Sequence, residues 1–422
     1  MSENEVVLVV GSGMRRYREY LLAGAARRHP VWLIDAADPD WQLPYVTGAD
    51  TVPLLDRARL VPDAEGLLAT AVRIAGERPV AGVFTYDETL VMATARIAEQ
   101  LGLPGLSVDG ADACRNKHRT RTALTAAGLP QPAFGYATTE AEARSHADRI
   151  GYPLVLKPRG MGASIGVVRA DSAAELVAAF TVAERAGHGG APAYEGGVLL
   201  EEFVRGPEIS IDGATHRGEY RPFFVAHKSL GEEPYFEEAG HVVTADDPLL
   251  HDAALLDVLT RAHRALGLQD GITHTEVKLT DRGPVVIEVN ARLGGDLIPY
   301  LGKLASGIDP AAVAADLATG TRPDLAPTAG GTTGIRFLYP KQDCTVTRVH
   351  LPAPGEVPGL VAAEAMVEPG ARLLLPPGGY LSRYAYVICS ADGPEACRAR
   401  LDEAERAVLL DATPLEAERA DA

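Results

Sequence analysis

The stretch Val285-Val286-Ile287-Glu288-Val289-Asn290-Ala291-Arg292 decides how the chain is read. Its first three residues are β-branched and apolar, the start of a strand, and because strand side chains alternate, Glu288 and Asn290 project to one face while Val289 points to the core. Two oxygen ligands then sit side by side. The preceding strand, Thr273–Leu279, is separated by the turn Asp281-Arg282-Gly283, so a hairpin brings Glu276 alongside Glu288. Carboxylate and amide oxygens with no thiolate or histidine adjoining suit a hard cation. So few protein ligands leave Mg²⁺ room for waters and phosphate oxygens.

Upstream, Val6–Val10 is wholly apolar and runs through Gly11-Ser12-Gly13 into a helical pattern ending at Arg28. Strands at Val31–Asp35 and Val80–Thr85 alternate with helices at Gly66–Glu77 and Thr89–Leu101, the signature of an open parallel α/β sheet over residues 1–112. A linker helix follows within 113–132, closed by Gly128 and the extended Leu129-Pro130-Gln131-Pro132. Residues 133–197 read as short strands, Leu154–Lys157 and Ile165–Arg169 among them, around one helix, with the mobile glycine-rich stretch Gly187–Gly197 at their end. Residues 198–340 read as strands at Val198–Phe203, Glu208–Gly213 and Phe223–His227, a helix at Leu249–Leu266 and the hairpin above. Residues 341–422 form an appended α+β subdomain.

Composition narrows the function. A formal charge of −17 offers no reservoir of positive charge for a nucleic-acid backbone or an anionic membrane. No run approaches the roughly 20 apolar residues that span a bilayer, and the acidic start Ser2-Glu3-Asn4-Glu5 has no basic leader. Four scattered cysteines form no zinc motif and read as reduced thiols, so a cytoplasmic protein is expected.

Two glycine motifs point in different directions. Gly160-Met161-Gly162-Ala163-Ser164-Ile165-Gly166 lies between strands, where backbone N–H groups can close on a phosphate, but it lacks the Gly-Lys-Ser/Thr of a P-loop running into a helix. Lys157 ends the apolar run before it, and a charge there calls for an anionic partner. Gly11-Ser12-Gly13 lacks the third glycine of a dinucleotide fingerprint, position 16 being Arg, so a nicotinamide or flavin site is discounted.

In order, these pieces resemble the ATP-grasp superfamily: Asn116-Lys117 opening a helix, Val155-Leu156-Lys157-Pro158 with its glycine loop, Leu200-Glu201-Glu202-Phe203-Val204-Arg205-Gly206-Pro207-Glu208, then Glu276 with Glu288-Val289-Asn290-Ala291-Arg292. Phe236–His241, Thr273–Glu276 and Asn290–Asp296 are most similar to its carboxylate–amine ligases that join L-amino acids into dipeptides. The resemblance implies an N-terminal open parallel α/β domain, a small central lid that closes over ATP, and a larger C-terminal antiparallel-sheet domain. It also implies an activated acyl phosphate displaced by an amine, in an α- or γ-glutamyl-type linkage, with ADP and phosphate released. Ligases of this look serve small-peptide and antibiotic pathways. The alternative within the superfamily is carboxylation or formyl transfer in nucleotide synthesis.

Carried over by position, Lys117, Lys157 and Ser164 hold ATP phosphates, Glu201, Glu202, Phe203 and Val204 face the adenine, and Glu208 takes the ribose hydroxyls. Lys228 reaches the γ-phosphate. Glu276, Glu288 and Asn290 hold Mg²⁺, with Mn²⁺ a substitute. Glu238, His241, Gly294 and Gly295 bind the amino acid, and Arg292 holds its carboxylate. His274 is expected as a satisfied core histidine. The expected partners are amino acids alone, with a homodimer as the base-rate assembly.

Overall fold

The apolar run Val6–Val10 is completely enclosed because a parallel strand has helices on both faces. In the computed structural model, which describes residues 5–56, 61–162, 164–188, 194–231, 237–376 and 378–415, the chain divides into two units. The first unit comprises residues 1–225, 247–303 and 308–326; the second comprises 226–246, 304–307 and 327–422.

The first unit opens with a four-stranded parallel sheet in the order Gly48–Thr51, Val31–Asp35, Val6–Val10, Val80–Phe84. Helices Arg15–Arg28 and Ala64–Glu77 connect its strands, and Val91–Leu101 follows the last of them. Chain order reverses between Val6–Val10 and Val80–Phe84, and such a switch point opens a crevice at the carboxyl ends of the strands. The Ser12 backbone N–H donates to Asp35 across the first turn at 3.0 Å, closing it internally.

The expected linker helix is two helices, Val108–Arg115 and Lys117–Ala126. Asn116 breaks them: its backbone is extended and its side chain caps the second helix by accepting from the Arg119 N–H. Next comes an antiparallel sheet ordered Phe134–Ala137, Val198–Glu202, Leu154–Pro158, Val168–Ala170. Val198–Glu202, which reads in sequence as the head of a third region, thus lies inside this sheet. Two helices cover it, Glu140–Ile150 and Leu176–Gly187, where the pattern suggests one. The strand expected from Ile165 begins only at Val168, since Ser164 and Gly166 both take positive φ (56° and 73°) and turn the chain. Part of the stretch expected to be mobile, 189–193 within Gly187–Gly197, lies outside the described residues.

The rest of the first unit contributes adjacent strands Gly283–Asn290, Gly271–Thr280, Glu208–His216 and the start of Glu219–Leu230. The helix expected from Leu249 is a 3₁₀ turn, Pro248–His251, and a helix, Ala253–Ala265, divided where Asp252 caps the Leu255 N–H. The helices Ile298–Ser306 and Pro310–Ala318 are not foreseen by the sequence reading.

In the second unit the end of Glu219–Leu230 pairs with Glu238–Thr244, followed by Thr332–Leu338, Ala385–Ala391 and Leu360–Ala365. Helix Pro394–Ala407 packs on this sheet, and a smaller one joins Arg372–Leu373, Cys344–His350 and Leu409–Pro414. Glu238–Thr244 is a strand that the sequence reading does not foresee. The four cysteines are free and buried. No helix among the described residues is long and apolar enough to cross a membrane.

Candidate active site

Glu276 and Glu288 are directly opposed in the hairpin, and His274 opposes Asn290. A bulge makes that pairing. From Thr280↔Gly283 to Val277↔Val286 the register is regular; it then shifts between Glu276 and Val277, so that Ile287 is skipped and Glu276 meets Glu288. In the unshifted register Glu276 would face Ile287, and one residue of slip turns every side chain to the opposite face. His274 is buried, as expected of a satisfied core histidine, with its Nδ1 2.8 Å from Asp212 Oδ1. That same oxygen accepts the Gly294 N–H at 3.0 Å. A Cβ at Gly294 would stand 2.8 Å from the His274 ring, so only glycine fits.

Lys117 donates to Met161 O at 2.6 Å, within the glycine loop, and to Glu288 Oε1 at 2.8 Å. Lys157 pairs with Glu201 Oε2 at 2.6 Å, and Arg121 Nε donates to Glu201 Oε1 at 2.6 Å. Both oxygens of Glu201, expected at the adenine edge, are therefore held by cations. Arg121 is 1% exposed and also donates to Val286 O (3.0 Å) and Ile287 O (2.5 Å), the carbonyls at the bulge. Glu88 meets Arg115 Nη1 at 2.8 Å and Arg292 Nε at 2.7 Å, while Arg115 reaches Gly160 O at 3.1 Å.

Burial dominates the electrostatics and neighbouring charges decide the outcome. Burial raises the carboxyls of Glu88, Glu201 and Glu288, yet each ends below its usual range because cations outweigh it: Arg292 and Arg115 for Glu88, Arg121 and Lys157 for Glu201, Lys117 and Lys157 for Glu288. Burial lowers Lys157, with Glu201 opposing. An ionised Glu288 beside Glu276 and the Asn290 amide is an all-oxygen donor set in the protonation state that a hard cation requires, so these residues fit Mg²⁺.

The other expected residues are placed as follows. Glu202 pairs with Arg282 at 2.7 Å, and Glu208 with Lys278 at 3.1 Å. Phe203 lies under the Arg169 guanidinium, 4.4 Å from the ring centroid, and Val204 is buried. The second unit brings Lys228, Glu238 and His241 together: Glu238 meets Lys228 at 2.6 Å and His241 Nε2 at 3.0 Å. Burial pushes the Glu238 carboxyl up, but Lys228 and His241 hold it well below its usual range.

Arg121, Arg115 and Glu88 are missed by the sequence reading. Arg121 stands four residues after Lys117, the spacing that puts two side chains on one helix face, and that was the available signal. Glu88 follows the carboxyl end of a parallel strand, where open α/β sheets keep functional groups.

Residues 150–300 match the ATP-grasp domain family, 33–105 the ATP-grasp N-terminal domain, and 336–411 the L-amino acid ligase C-terminal domain 2. The crystal structure of L-amino acid ligase from Bacillus licheniformis superimposes with a TM-score of 0.78 at 25% identity, covering 98% of this chain and 100% of that one. The chain belongs to the ATP-grasp L-amino acid ligases. An uncharacterised protein, y4rH, of Sinorhizobium fredii is 32% identical over 86% of this chain and 74% of its own length. Alanine–anticapsin ligase of Bacillus subtilis is 30% identical over 68% of this chain and 62% of its own length. This amino acid ligase has the three-part ATP-grasp fold, with a parallel N-terminal sheet, a central antiparallel sheet and a large antiparallel C-terminal sheet, and it is an ATP-dependent enzyme.

Proposed function

We propose that the enzyme joins two amino acids into a dipeptide through an acyl phosphate. A carboxylate oxygen of the first amino acid attacks the γ-phosphorus of ATP as the bond to ADP breaks. The amine of the second then attacks the carbonyl carbon, the C–O bond to phosphate breaks, and the amine gives up its proton. Lys117 and Lys157 hold the phosphates, assisted by Ser164, with adenine against Glu201–Val204 and ribose at Glu208. Glu276, Glu288 and Asn290 would hold Mg²⁺, or Mn²⁺, which when bound neutralises charge on the phosphate oxygens.

Arg292, held by Glu88 at 2.7 Å, binds the carboxylate and then the tetrahedral oxyanion. The Gly294 N–H already donates to Asp212, so of the glycine pair Gly295 is left to offer its N–H to substrate. From the second unit, Lys228 is assigned to the transferred phosphoryl group and Glu238 with His241 to the ammonium. A small peptide of the antibiotic type fits the likeness to alanine–anticapsin ligase.

The observation that carries this reading is the bulged hairpin, with Glu276 opposite Glu288 and Lys117 bonded to Glu288. Phosphate release from ATP and Mg²⁺, with amino acids tested singly and in pairs and the products weighed by mass spectrometry, tests it. Phosphate only with a particular pair, and a product equal to their sum less water, is the expected result. Carboxylation or formyl transfer would instead need bicarbonate or a formyl donor.

A further inference from the structure

Glu238 and His241 have a brace behind them in the second unit, built from residues of the stretch that matches the L-amino acid ligase C-terminal domain 2. Glu238 opens the strand Glu238–Thr244, and on the Thr332–Leu338 side the ladder begins only at Gly240↔Arg336. The Glu238 carbonyl therefore lies beyond the end of that ladder, and its donors have to come from elsewhere. Arg383 and Tyr339 supply them. Arg383 Nη2 donates to the carbonyl at 2.9 Å and the Tyr339 hydroxyl at 3.1 Å, while Arg383 Nε donates to that hydroxyl at 2.8 Å.

Arg383 is 6% exposed, and its guanidinium lies 3.7 Å over the face of Phe337. The same ring meets His241 in a T-shaped contact with 6.4 Å between centroids. Arg383 is thus joined to Glu238 through the carbonyl and to His241 through Phe337. The turn that delivers it is fastened to the residue before Glu238: Leu381 takes a φ of 54°, which L side chains rarely adopt, and its N–H donates to the Glu237 carboxylate.

We infer that Arg383 is a positioning residue for the ligase reaction, fixing where the Glu238 carboxylate and the His241 ring stand, so that the C-terminal subdomain completes the site for the substrate ammonium. The inference rests on Glu238 and His241 as the ammonium holders. The Glu238 carboxylate has Lys228 at 2.6 Å on one oxygen and His241 Nε2 at 3.0 Å on the other. Its main chain stands at a strand end, where backbone frays unless something outside the ladder holds it. A planar guanidinium lies flat on an aromatic ring and still sends two N–H groups to two acceptors, which an ammonium on a flexible stem does not.

The test is kcat/KM for each amino acid of a productive pair, and the KM for ATP, in Arg383→Met, with the urea midpoint as the check on folding. Displacing a binding group by about 1 Å costs up to about a hundredfold. The expected result is a loss of at least about tenfold in kcat/KM for the amino acid whose ammonium is held, with the KM for ATP within about twofold of wild type. Arg383→Lys keeps the charge over Phe337 but not both bonds, so it should fall between the two, and it carries the test if the methionine variant does not fold. The same substitutions are then made in a Glu238→Gln background. A positioning residue loses most of its effect once the group it positions is gone, so the further loss there should be under about threefold, whereas a residue that only stabilises the fold costs the same in both backgrounds.

A folded Arg383 variant with unchanged kcat/KM for both amino acids, or an equal loss in the two backgrounds, overturns the inference and leaves the ligase standing. Unchanged kcat/KM in Glu238→Gln alone overturns the ammonium assignment and the inference with it. No phosphate from the wild type with any amino acid, alone or in pairs, while ATP still binds, overturns the ligase reading beneath both.

Discussion

Replacing Arg121 with methionine should cost the protein about 4 kcal/mol. The guanidinium is 1% exposed and gives three bonds, one to Glu201 and two to the carbonyls of Val286 and Ile287. Removing one partner of a buried ion pair typically costs about 3–5 kcal/mol, and each orphaned carbonyl about 1 kcal/mol more, against which methionine recovers some apolar packing. Whole domains are stable by only about 5–15 kcal/mol, so a clear fall in the urea midpoint is expected.

Two further readouts separate this from simple loss of packing. Gly283–Asn290 is an edge strand, and Arg121 covers its carbonyls at the bulge that opposes Glu276 to Glu288. Without that anchor the register can slip by one residue, so Arg121→Met should raise the Mg²⁺ concentration needed for half-maximal phosphate release.

The pH dependence has a definite sign. Glu201 is held below its usual range in the fold, so its contribution is present above the unfolded value of about 4.3 and is lost as pH falls through the lower folded value. In the variant, burial acts with Lys157 as its sole ionic counterweight. Glu201 therefore titrates higher, and the stability gap to wild type should narrow as the solution is made more acid than about pH 4. A loss under about 1 kcal/mol at pH 7, or a gap that does not change with pH, refutes the reasoning.

Glu288→Gln should reduce kcat by about a hundredfold or more and weaken Mg²⁺ dependence, since an amide cannot supply the ionised ligand; full activity at ordinary Mg²⁺ would remove Glu288 from the metal site. Arg292→Ala should lower kcat by about 10²–10³-fold with the KM for ATP changed less than about twofold, and unchanged turnover counts against its role. Glu201→Gln leaves Lys157 buried beside Arg121 without its ion-pair partner and lowers its proton affinity further. ATP should then bind more tightly as pH falls, and more steeply so than in the wild type; the same profile in variant and wild type would show that Lys157 does not hold phosphate.

Much of the fold lay in local pattern. Val6–Val10 and Val31–Asp35 are strands as the apolar runs suggest, because strands enclosed on both faces advertise themselves. Glu238–Thr244 was hidden, since its sequence Glu-Ala-Gly-His-Val-Val-Thr begins polar and its strand character comes from pairing on both sides with distant segments. Ile298–Ser306 has no expectation in the sequence because Pro299 and Gly302 weaken its helical pattern, although proline is well tolerated in a first helical turn. The pairing of Glu276 with Glu288 was legible as a hairpin, but the bulge that makes it true was not, because skipping Ile287 is decided by Arg121, more than 160 positions away.

Lys157 shows most clearly what the sequence could and could not say. A lysine ending an apolar strand does need an anion, and that anion turns out to be part of the protein, Glu201. Glu201 is also shared with Arg121, so its one negative charge faces two positive ones. Glu88 repeats the arrangement between Arg115 and Arg292, whereas Lys117 faces Glu288, which also has Glu276 opposite it. The Glu201 and Glu88 clusters thus each keep an excess positive charge, inside a protein whose formal charge is −17. Fields in a cleft are set by the nearest charges and sharpened by its low-dielectric walls, so total charge does not oppose them. The acidic composition argues against a long polyanion spread over the surface, while the excess at buried Lys157 and at half-buried Arg292 suits two compact anions, a triphosphate and a carboxylate.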